Sequence, residues 1–156
     1  MIDSEGFRAN VGIILTNNDG QVFWARRMGM DAWQFPQGGI KKNESPKTAM
    51  YRELKEEIGL KREHVEILNS TKDWLRYSLP KQYIRKNSEP LCIGQKQIWY
   101  LLKLVVDDKY FDLSCTSNPE FDLWKWVDFW QPADEIISFK REVYQQALKQ
   151  LEPFIV

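Results

Sequence analysis

The chain of 156 residues is poor in the residues on which many protein sites depend, since it contains two cysteines and one histidine. Cys92 and Cys115 are too few for a disulfide framework and lack zinc-ligand spacing, so each is predicted to be a buried free thiol. His64 lies among charged residues after a predicted helix, which indicates a surface position. A disulfide-stabilised fold, a cysteine-based zinc site and a catalytic histidine are therefore not expected.

Long apolar runs and an excess of either charge are also missing. No segment approaches the roughly 20 apolar residues that span a bilayer, and the polar start does not resemble a targeting signal. We therefore expect a soluble, cytoplasmic protein without membrane contact. The 22 basic and 22 acidic residues cancel, so any polyanionic partner must be held by a local patch.

The chain has the material for one core. Its apolar fraction is 43%, with seven tryptophans, and no repeat, linker or low-complexity run divides it, so residues 1–156 are predicted to form a single domain. Strands are predicted at 10–16, 21–26, 65–70, 75–79, 97–106 and 123–129. Asn18-Asp19-Gly20 is typical of a hairpin turn between the first two.

Helices are predicted at two places. Ser45 and Pro46 begin one that ends at Ile58, where Gly59 can adopt the left-handed conformation. A second helical pattern starts at Pro132, and residues 33–43 form a loop rich in glycine and proline. Strands with one internal and one closing helix indicate an α/β fold with a mixed sheet, whose strand order the pattern leaves open.

Three glutamates share one face of the first predicted helix, because Glu53, Glu56 and Glu57 stand at positions i, i+3 and i+4. Like charges at this spacing repel each other unless a cation compensates, and clustered carboxylates suit Mg²⁺ or Mn²⁺. Three glutamates alone are also typical of a solvated helix face. The residues around them favour the metal.

The segment from Gly38 to Leu60 resembles the Nudix box, Gly-x5-Glu-x7-Arg-Glu-U-x-Glu-Glu-x-Gly-U, in which U is aliphatic. Every position matches, namely Gly38, Glu44, Arg52-Glu53-Leu54, Glu56-Glu57 and Gly59-Leu60. A complete match of this length is far more specific than a short motif. The chain is thus identified as a member of the Nudix hydrolases, which implies cleavage of nucleoside diphosphate linkages and an α/β/α sandwich with a mixed sheet.

The resemblance also implies roles for residues of the box. Glu53, Glu56 and Glu57 are expected to bind divalent metal, Mg²⁺ or Mn²⁺, with help from the backbone carbonyl of Gly38. Metal ions would neutralise the phosphate chain and align a water for attack, and Glu56 or Glu57 would serve as base. Pairing of Glu44 with Arg52 is expected to tie the loop to the helix.

Residues 72–103 contain seven basic and two acidic residues, with aromatic residues between them. The aromatic members are Trp74, Tyr77, Tyr83, Trp99 and Tyr100. A basic groove with aromatic side chains on which bases can stack is typical of single-stranded nucleic-acid binding. The alternative is that these aromatic residues belong to the core and that the lysines between them are solvated.

Further stretches resemble bacterial Nudix hydrolases that act on RNA, namely 7–12, 33–39, 74–80, 92–97, 119–127 and 138–141. Phe7 and Ala9 depart from the expected tyrosine and proline. This resemblance implies removal of pyrophosphate from the 5′-triphosphate end of RNA, which leaves a monophosphate and starts mRNA decay. Positions expected to contact phosphates or the first nucleotides are Arg8, Arg27, Gln95 and Lys140, and Phe139 is expected to stack on a base.

The resemblance implies for Glu120 an approach to the metals from the opposite side, as a ligand or as the base. Two other functions stay open: hydrolysis of dinucleoside polyphosphates such as diadenosine tetraphosphate, and a non-catalytic RNA-binding module. Such modules usually lack box glutamates, all of which are present here. The sequence does not determine the number of metal ions, stepwise or single release, oligomeric state or a protein activator.

Overall fold

The structure, a computed structural model, describes all 156 residues and centres on an eight-stranded mixed sheet. The strands are β1 (Phe7–Thr16), β2 (Val22–Arg27), β3 (Trp33–Gln34), β4 (Gln37–Gly39), β5 (Val65–Ser70), β6 (Leu75–Ser78), β7 (Gly94–Leu104) and β8 (Phe121–Val127). The α-helices are α1 (Pro46–Ile58), α2 (Gln131–Glu135) and α3 (Arg141–Leu151). Short 3₁₀ turns lie at Arg62–His64, Lys81–Tyr83, Asp108–Tyr110, Ser138–Lys140 and Glu152–Phe154.

The sheet is mixed because β1 and β7 pair in parallel along the whole of β1. β1 and β2 form the predicted antiparallel hairpin, β8 pairs with the far side of β2, and β5 and β6 both pair antiparallel with β7. The main path through the sheet is β3-β2-β1-β7-β5. This order could not be read from the chain, because β1 and β7 are far apart in sequence.

Helix α1 begins and ends where the sequence predicts. The Ser45 hydroxyl accepts a hydrogen bond from the Thr48 amide at 3.1 Å, and Pro46 occupies the first turn. At the other end Gly59 has a φ of 79°, and its amide donates to the Lys55 carbonyl at 3.0 Å. The register of the glutamates on this helix is therefore fixed by both of its ends.

Apolar residues cover both faces of the sheet. Alternate residues of β1, Val11 and Ile13 among them, pack against Leu54 and Ile58 of α1 on one face. On the other face, α3 packs its buried residues against Trp24, Phe35 and Trp99. The predicted α/β/α arrangement with a mixed sheet is confirmed. None of the helices has the length and apolar character needed to cross a membrane.

The predicted loop over residues 33–43 was wrong in part, because it contains β3 and β4. β4 pairs antiparallel with residues 10–12 of β1, which places Gly38 in the sheet beside α1. Strands of two and three residues are too short to show alternation, so the pattern gave no signal.

The predictions for the two cysteines and for the closing helix also need correction. Cys115 is exposed and Cys92 is half-buried, so the expected burial of both thiols was wrong; Cys115 lies in the long loop before β8. The closing helical segment is divided, because a 3₁₀ turn at Ser138–Lys140 separates α2 from α3. That turn carries two of the predicted substrate-binding residues.

Candidate active site

Helix α1 carries its glutamates along the edge that faces β4. Glu53 and Glu57 are each 8% exposed, whereas the Glu56 side chain is 44% exposed. The three are thus close neighbours in different environments, with two carboxylates inside the fold and one at its surface.

Arg52 holds this edge of the helix against the preceding loop. Its Nε and Nη2 atoms donate to the two Glu44 oxygens, each at 2.9 Å, and Nη2 also donates to the Gly39 carbonyl at 2.8 Å. The expected Glu44–Arg52 pair is therefore present. The hydrogen bonds from Arg52 lower the pKa of Glu44 to about 2, so the pair is ionised at neutral pH.

Arg52 also contacts two of the glutamates that are predicted to bind metal. Its Nη1 atom lies 2.6 Å from Glu53 Oε1 and 3.4 Å from Glu56 Oε2. No three acidic, histidine or cysteine side chains converge as closely as the ligands of a bound ion do. The predicted ligands therefore share one edge of α1 without forming a closed set of ligands. Their assignment as metal ligands stays a prediction.

One oxygen of the Glu57 carboxylate has no partner within the protein. Its Oε2 atom is buried and has no hydrogen-bond partner. Burial, followed by the charges of Glu53 and Glu120, raises the pKa of Glu57 well above 4.5. Burial also raises the pKa of Glu53, because it outweighs the opposing effect of Arg52. A buried carboxylate without a partner is costly, and a divalent cation with oxygen preference fits this donor set.

The strand segment that faces the Glu53 carboxylate carries no side chains, because residues 38 and 39 are both glycine. Gly38 of β4 lies directly beneath the Glu53 carboxylate, so that a Cβ atom at this position would overlap the carboxyl group. The neighbouring Gly39 has open space where its Cβ would stand. Glycine at 38 therefore allows the Glu53 carboxylate to lie against the strand.

Glu120 reaches the site from the loop before β8. Its side chain lies 3.5 Å from Arg27 Nε, and its backbone carbonyl accepts a hydrogen bond from the Met28 amide at 2.8 Å. Its charge contributes to the raised pKa of Glu57, which places it near the buried pair. The structure thus brings Glu120 near the carboxylates of α1, and its role as a ligand or as the base stays a prediction.

Asp122 fixes the turn that carries Arg27. Its two oxygens accept hydrogen bonds from Arg26 Nε at 2.8 Å and Arg26 Nη2 at 3.0 Å. The Gly29 amide donates to the same carboxylate at 3.0 Å. Asp122 lies two residues after Glu120, so the segment that carries Glu120 also fixes the turn that carries Arg27.

A cavity of about 670 Å³ opens beside the Arg27–Glu120 pair. Four predicted substrate-binding residues line it together, namely Arg27, Gln95, Phe139 and Lys140. Arg8 does not line it; this residue is exposed on β1 and pairs in register with Gln95 of β7. The predicted set is thus assembled around one cavity, with Arg8 on a neighbouring strand.

The Lys140 ammonium and the aromatic residues around it define one end of this cavity. Phe139 lies between Tyr77 and Tyr83, with ring-centroid distances of 5.8 and 5.5 Å. Lys140 Nζ lies 5.8 Å from the Tyr77 ring centroid. Burial, followed by the nearby Arg27 charge, lowers the pKa of Lys140 to about 8. An anion entering the cavity would meet two cations and an aromatic wall.

The aromatic residues of the basic segment 72–103 divide into two groups. Trp99 and Tyr100 are buried in the core, at 0% and 9% exposure, as the structural alternative expected. Tyr77 and Tyr83 instead line the cavity. The expectation of one continuous basic and aromatic groove was therefore wrong in part, since the buried strand β7 supplies two of the five rings to the core.

A family model for the NUDIX domain matches residues 6–147. The chain belongs to the Nudix family. The RNA pyrophosphohydrolase of Methylococcus capsulatus is 61% identical over 152 residues, which cover 97% of this chain and 80% of that protein. The RNA pyrophosphohydrolase of Pseudomonas putida is 59% identical over 153 residues, which cover 98% and 96%. The resemblance inferred from the box and its flanks is confirmed.

Solved structures agree on the fold. The Escherichia coli dihydroneopterin triphosphate pyrophosphohydrolase superposes with a TM-score of 0.71 at 18% identity, over 92% of this chain and 98% of that one. A Caenorhabditis elegans Ap4A hydrolase complex gives 0.64 at 20% identity, over 93% and 96%. This Nudix protein is a hydrolase of phosphoanhydride bonds, the class that the box predicts, and the family generally uses divalent cations.

Sequence reasoning assigned no role to three residues of this Nudix site. Gln37 and Trp33 line the cavity, and Asp122 fixes the Arg27 turn. All three lie in stretches that resemble relatives, which was the available signal. Their contacts depend on β3, β4 and β8 meeting around β2 and β1, and that arrangement was not predictable from spacing.

Proposed function

We propose that this protein removes pyrophosphate from the 5′-triphosphate end of RNA and leaves a 5′-monophosphate. One observation carries the proposal: Arg27 lies 3.5 Å from Glu120 and also lines the cavity that holds Phe139 and Lys140. A nucleotide in this cavity would therefore direct its phosphates at the carboxylates. Relatives at about 60% identity named as RNA pyrophosphohydrolases support this substrate.

We propose that Glu53, Glu56 and Glu57 hold Mg²⁺ or Mn²⁺, with the Gly38 carbonyl and Glu120 as further ligands. The unpartnered oxygen of Glu57 and the buried Glu53 supply the negative, oxygen-rich environment that such ions prefer. A divalent ion held there supplies positive charge against phosphate oxygens and lowers the pKa of water. Arg52 orients Glu53 through its 2.6 Å contact and keeps the helix edge against the loop.

The remaining residues bind and orient the RNA end. Arg27 and Lys140 offer positive charge to the phosphate chain, and a planar guanidinium suits phosphate oxygens. Phe139 provides a ring on which any base can stack, Gln95 offers an amide from the cavity wall, and Arg8 lies next to Gln95.

A carboxylate of Glu56, Glu57 or Glu120 accepts the proton from the attacking water.

The decisive experiment compares two substrates. With Mg²⁺ present, kcat/KM is measured for 5′-triphosphorylated RNA and for diadenosine tetraphosphate, and the released product and RNA end are identified. We expect pyrophosphate, monophosphorylated RNA and a higher kcat/KM for RNA. A ratio strongly favouring the dinucleotide would overturn the RNA assignment. Glu57→Gln serves as the inactive control, and a Glu57→Gln protein with full activity would refute the catalytic assignment itself.

We further propose that residues 1–156 act as one Nudix domain in the cytoplasm, where removal of pyrophosphate would initiate mRNA decay from the 5′ end. An RNA substrate without sequence-reading contacts is consistent with the aromatic and cationic cavity wall. The prediction is checked in cells by measuring the fraction of triphosphorylated transcripts, which should rise when the active protein is replaced by Glu57→Gln.

A further inference from the structure

Trp33 forms a second aromatic wall in the cavity that contains Phe139. It is half-buried, and it is the one tryptophan among the residues that line this space. Trp24 and Trp99 are fully buried in the core, and Trp124 stacks on Phe23 in the opposite apolar layer. The accessible position of Trp33 therefore sets it apart from the tryptophans that fill the core.

A lysine with no acidic partner lies over this ring. Lys125 Nζ is 4.5 Å from the Trp33 ring centroid, and Lys125 takes part in none of the ion pairs of the chain. Positive charge over an indole face is favourable, most strongly for tryptophan. The pair combines an aromatic surface with a free cation at the cavity edge.

Three strands hold the two side chains together. Trp33 of β3 pairs with Arg26 of β2, and Lys125 of β8 pairs with Trp24, two residues earlier on β2. Directly opposed residues, and residues two apart on one strand, share a face of the sheet. Trp33 and Lys125 therefore project from the same face across β2, so their contact is built into the sheet.

We propose that Trp33, backed by Lys125, is a second nucleobase platform that takes an unpaired base of the RNA next to the base at Phe139. This inference rests on the proposed RNA substrate and names residues that bind it. An aromatic face accepts any base by stacking, and a nearby lysine attracts the phosphate that joins two nucleotides. The cavity of about 670 Å³, with an aromatic wall at Phe139 and another at Trp33, has room for more than one base.

The test uses 5′-triphosphorylated RNAs that carry a single abasic residue at the first, second or third position. In the wild-type protein, loss of the base that stacks on Trp33 should raise KM about tenfold. In Trp33→Leu that abasic substitution should have no further effect, whereas abasic effects at the other positions should persist. Trp33→Phe should retain most of the sensitivity, because a ring remains.

Lys125 gives an independent measurement because its side chain is exposed and its replacement does not disturb the core. Lys125→Gln should weaken binding of a 2-aminopurine-labelled RNA and lower the slope of log affinity against log salt by about 0.7. Lys149→Gln, at an exposed position of α3, is the matched control and should leave both quantities unchanged.

Two results would overturn the platform. One is an equal increase of KM in Trp33→Leu for every RNA, with or without the base, because that is the effect of a purely structural tryptophan. The other is an unchanged salt slope in Lys125→Gln. Wild-type protein that leaves triphosphorylated RNA uncut would contradict the proposed function instead, and RNA binding by fluorescence would still report on Trp33.

Discussion

The carboxylate of Glu53 lies against the backbone of Gly38, in the space that a Cβ atom at position 38 would occupy. The contact joins α1 to β4, the strand that pairs with residues 10–12 of β1. Gly38 does not have a positive φ, so its backbone would accept alanine. Glycine is thus required here by the neighbouring carboxylate and not by the backbone conformation.

Gly38→Ala should therefore displace the Glu53 carboxylate and lower kcat for RNA by about a hundredfold, since such a loss is typical of a small misplacement in an active site. The fold should persist, because the clash involves the end of one side chain. Gly39→Ala is the matched control, as nothing lies near its Cβ position, and its kcat should stay within twofold of wild type. Equal losses in the two variants would contradict the steric explanation.

The buried Glu57 should make the stability of the metal-free protein depend on pH. Its pKa is raised in the fold by burial and by Glu53 and Glu120, so its protonated form is favoured there. That contribution to stability is complete below the ordinary pKa of 4.5 and is lost as pH rises through the raised value. Without divalent metal, Tm should therefore fall as pH rises above about 4.5.

Glu57→Gln should flatten this pH dependence and raise the metal-free Tm at pH 7, by about 2–4 °C for each kcal/mol gained. The same variant should lose turnover, because the amide cannot replace the charged ligand. Thermal unfolding in chelator at several pH values measures the first effect. A Glu57→Gln protein that is less stable than wild type at pH 7 would show that the carboxylate is compensated within the fold.

Asp122 should position Arg27 and Glu120 without touching the substrate. Asp122→Asn keeps the size of the side chain and weakens its bonds to Arg26 and Gly29, so kcat/KM for RNA should fall about tenfold. We expect most of the change in KM, because Arg27 binds phosphate. Asp19→Asn in the β1–β2 turn is the control, and an equal effect in both variants would exclude a positioning role.

Lys140 should give substrate binding an upper pH limit. Burial and the Arg27 charge lower the pKa of Lys140 to about 8, so the free enzyme loses this positive charge above that pH. KM for RNA should then rise as pH increases through about 8, with a smaller change in kcat. Lys140→Arg should remove the rise, because a guanidinium stays charged. Identical pH profiles for the two proteins would assign the titration to another group.

The helix of the site was predictable in detail because its signals are local. Ser45 and Pro46 define its start, Gly59 defines its end, and the spacing of Glu53, Glu56 and Glu57 fixes their common edge. These features depend on residues within one turn of each other. The Glu44–Arg52 pair followed for the same reason, since it joins the helix to the loop directly before it.

The other side of the site depends on contacts between distant segments. Arg27 meets Glu120 only because β8 pairs with β2, and Gly38 reaches Glu53 only because a three-residue strand pairs with β1. Neither pairing leaves a pattern in the chain. Charge and aromatic content alone also did not distinguish buried Trp99 from exposed Tyr83, because burial is decided by the central position of β7 in the sheet.

The central claim is that the carboxylate edge of α1 binds divalent cations beside the nucleotide cavity. Crystals grown with Mn²⁺ and a non-hydrolysable 5′-triphosphorylated dinucleotide allow the ions to be located directly by anomalous scattering. We predict Mn²⁺ peaks in contact with Glu53, Glu56 and Glu57 and with phosphate oxygens. Ordered nucleotide in the cavity with no anomalous peak at these three carboxylates would contradict the account.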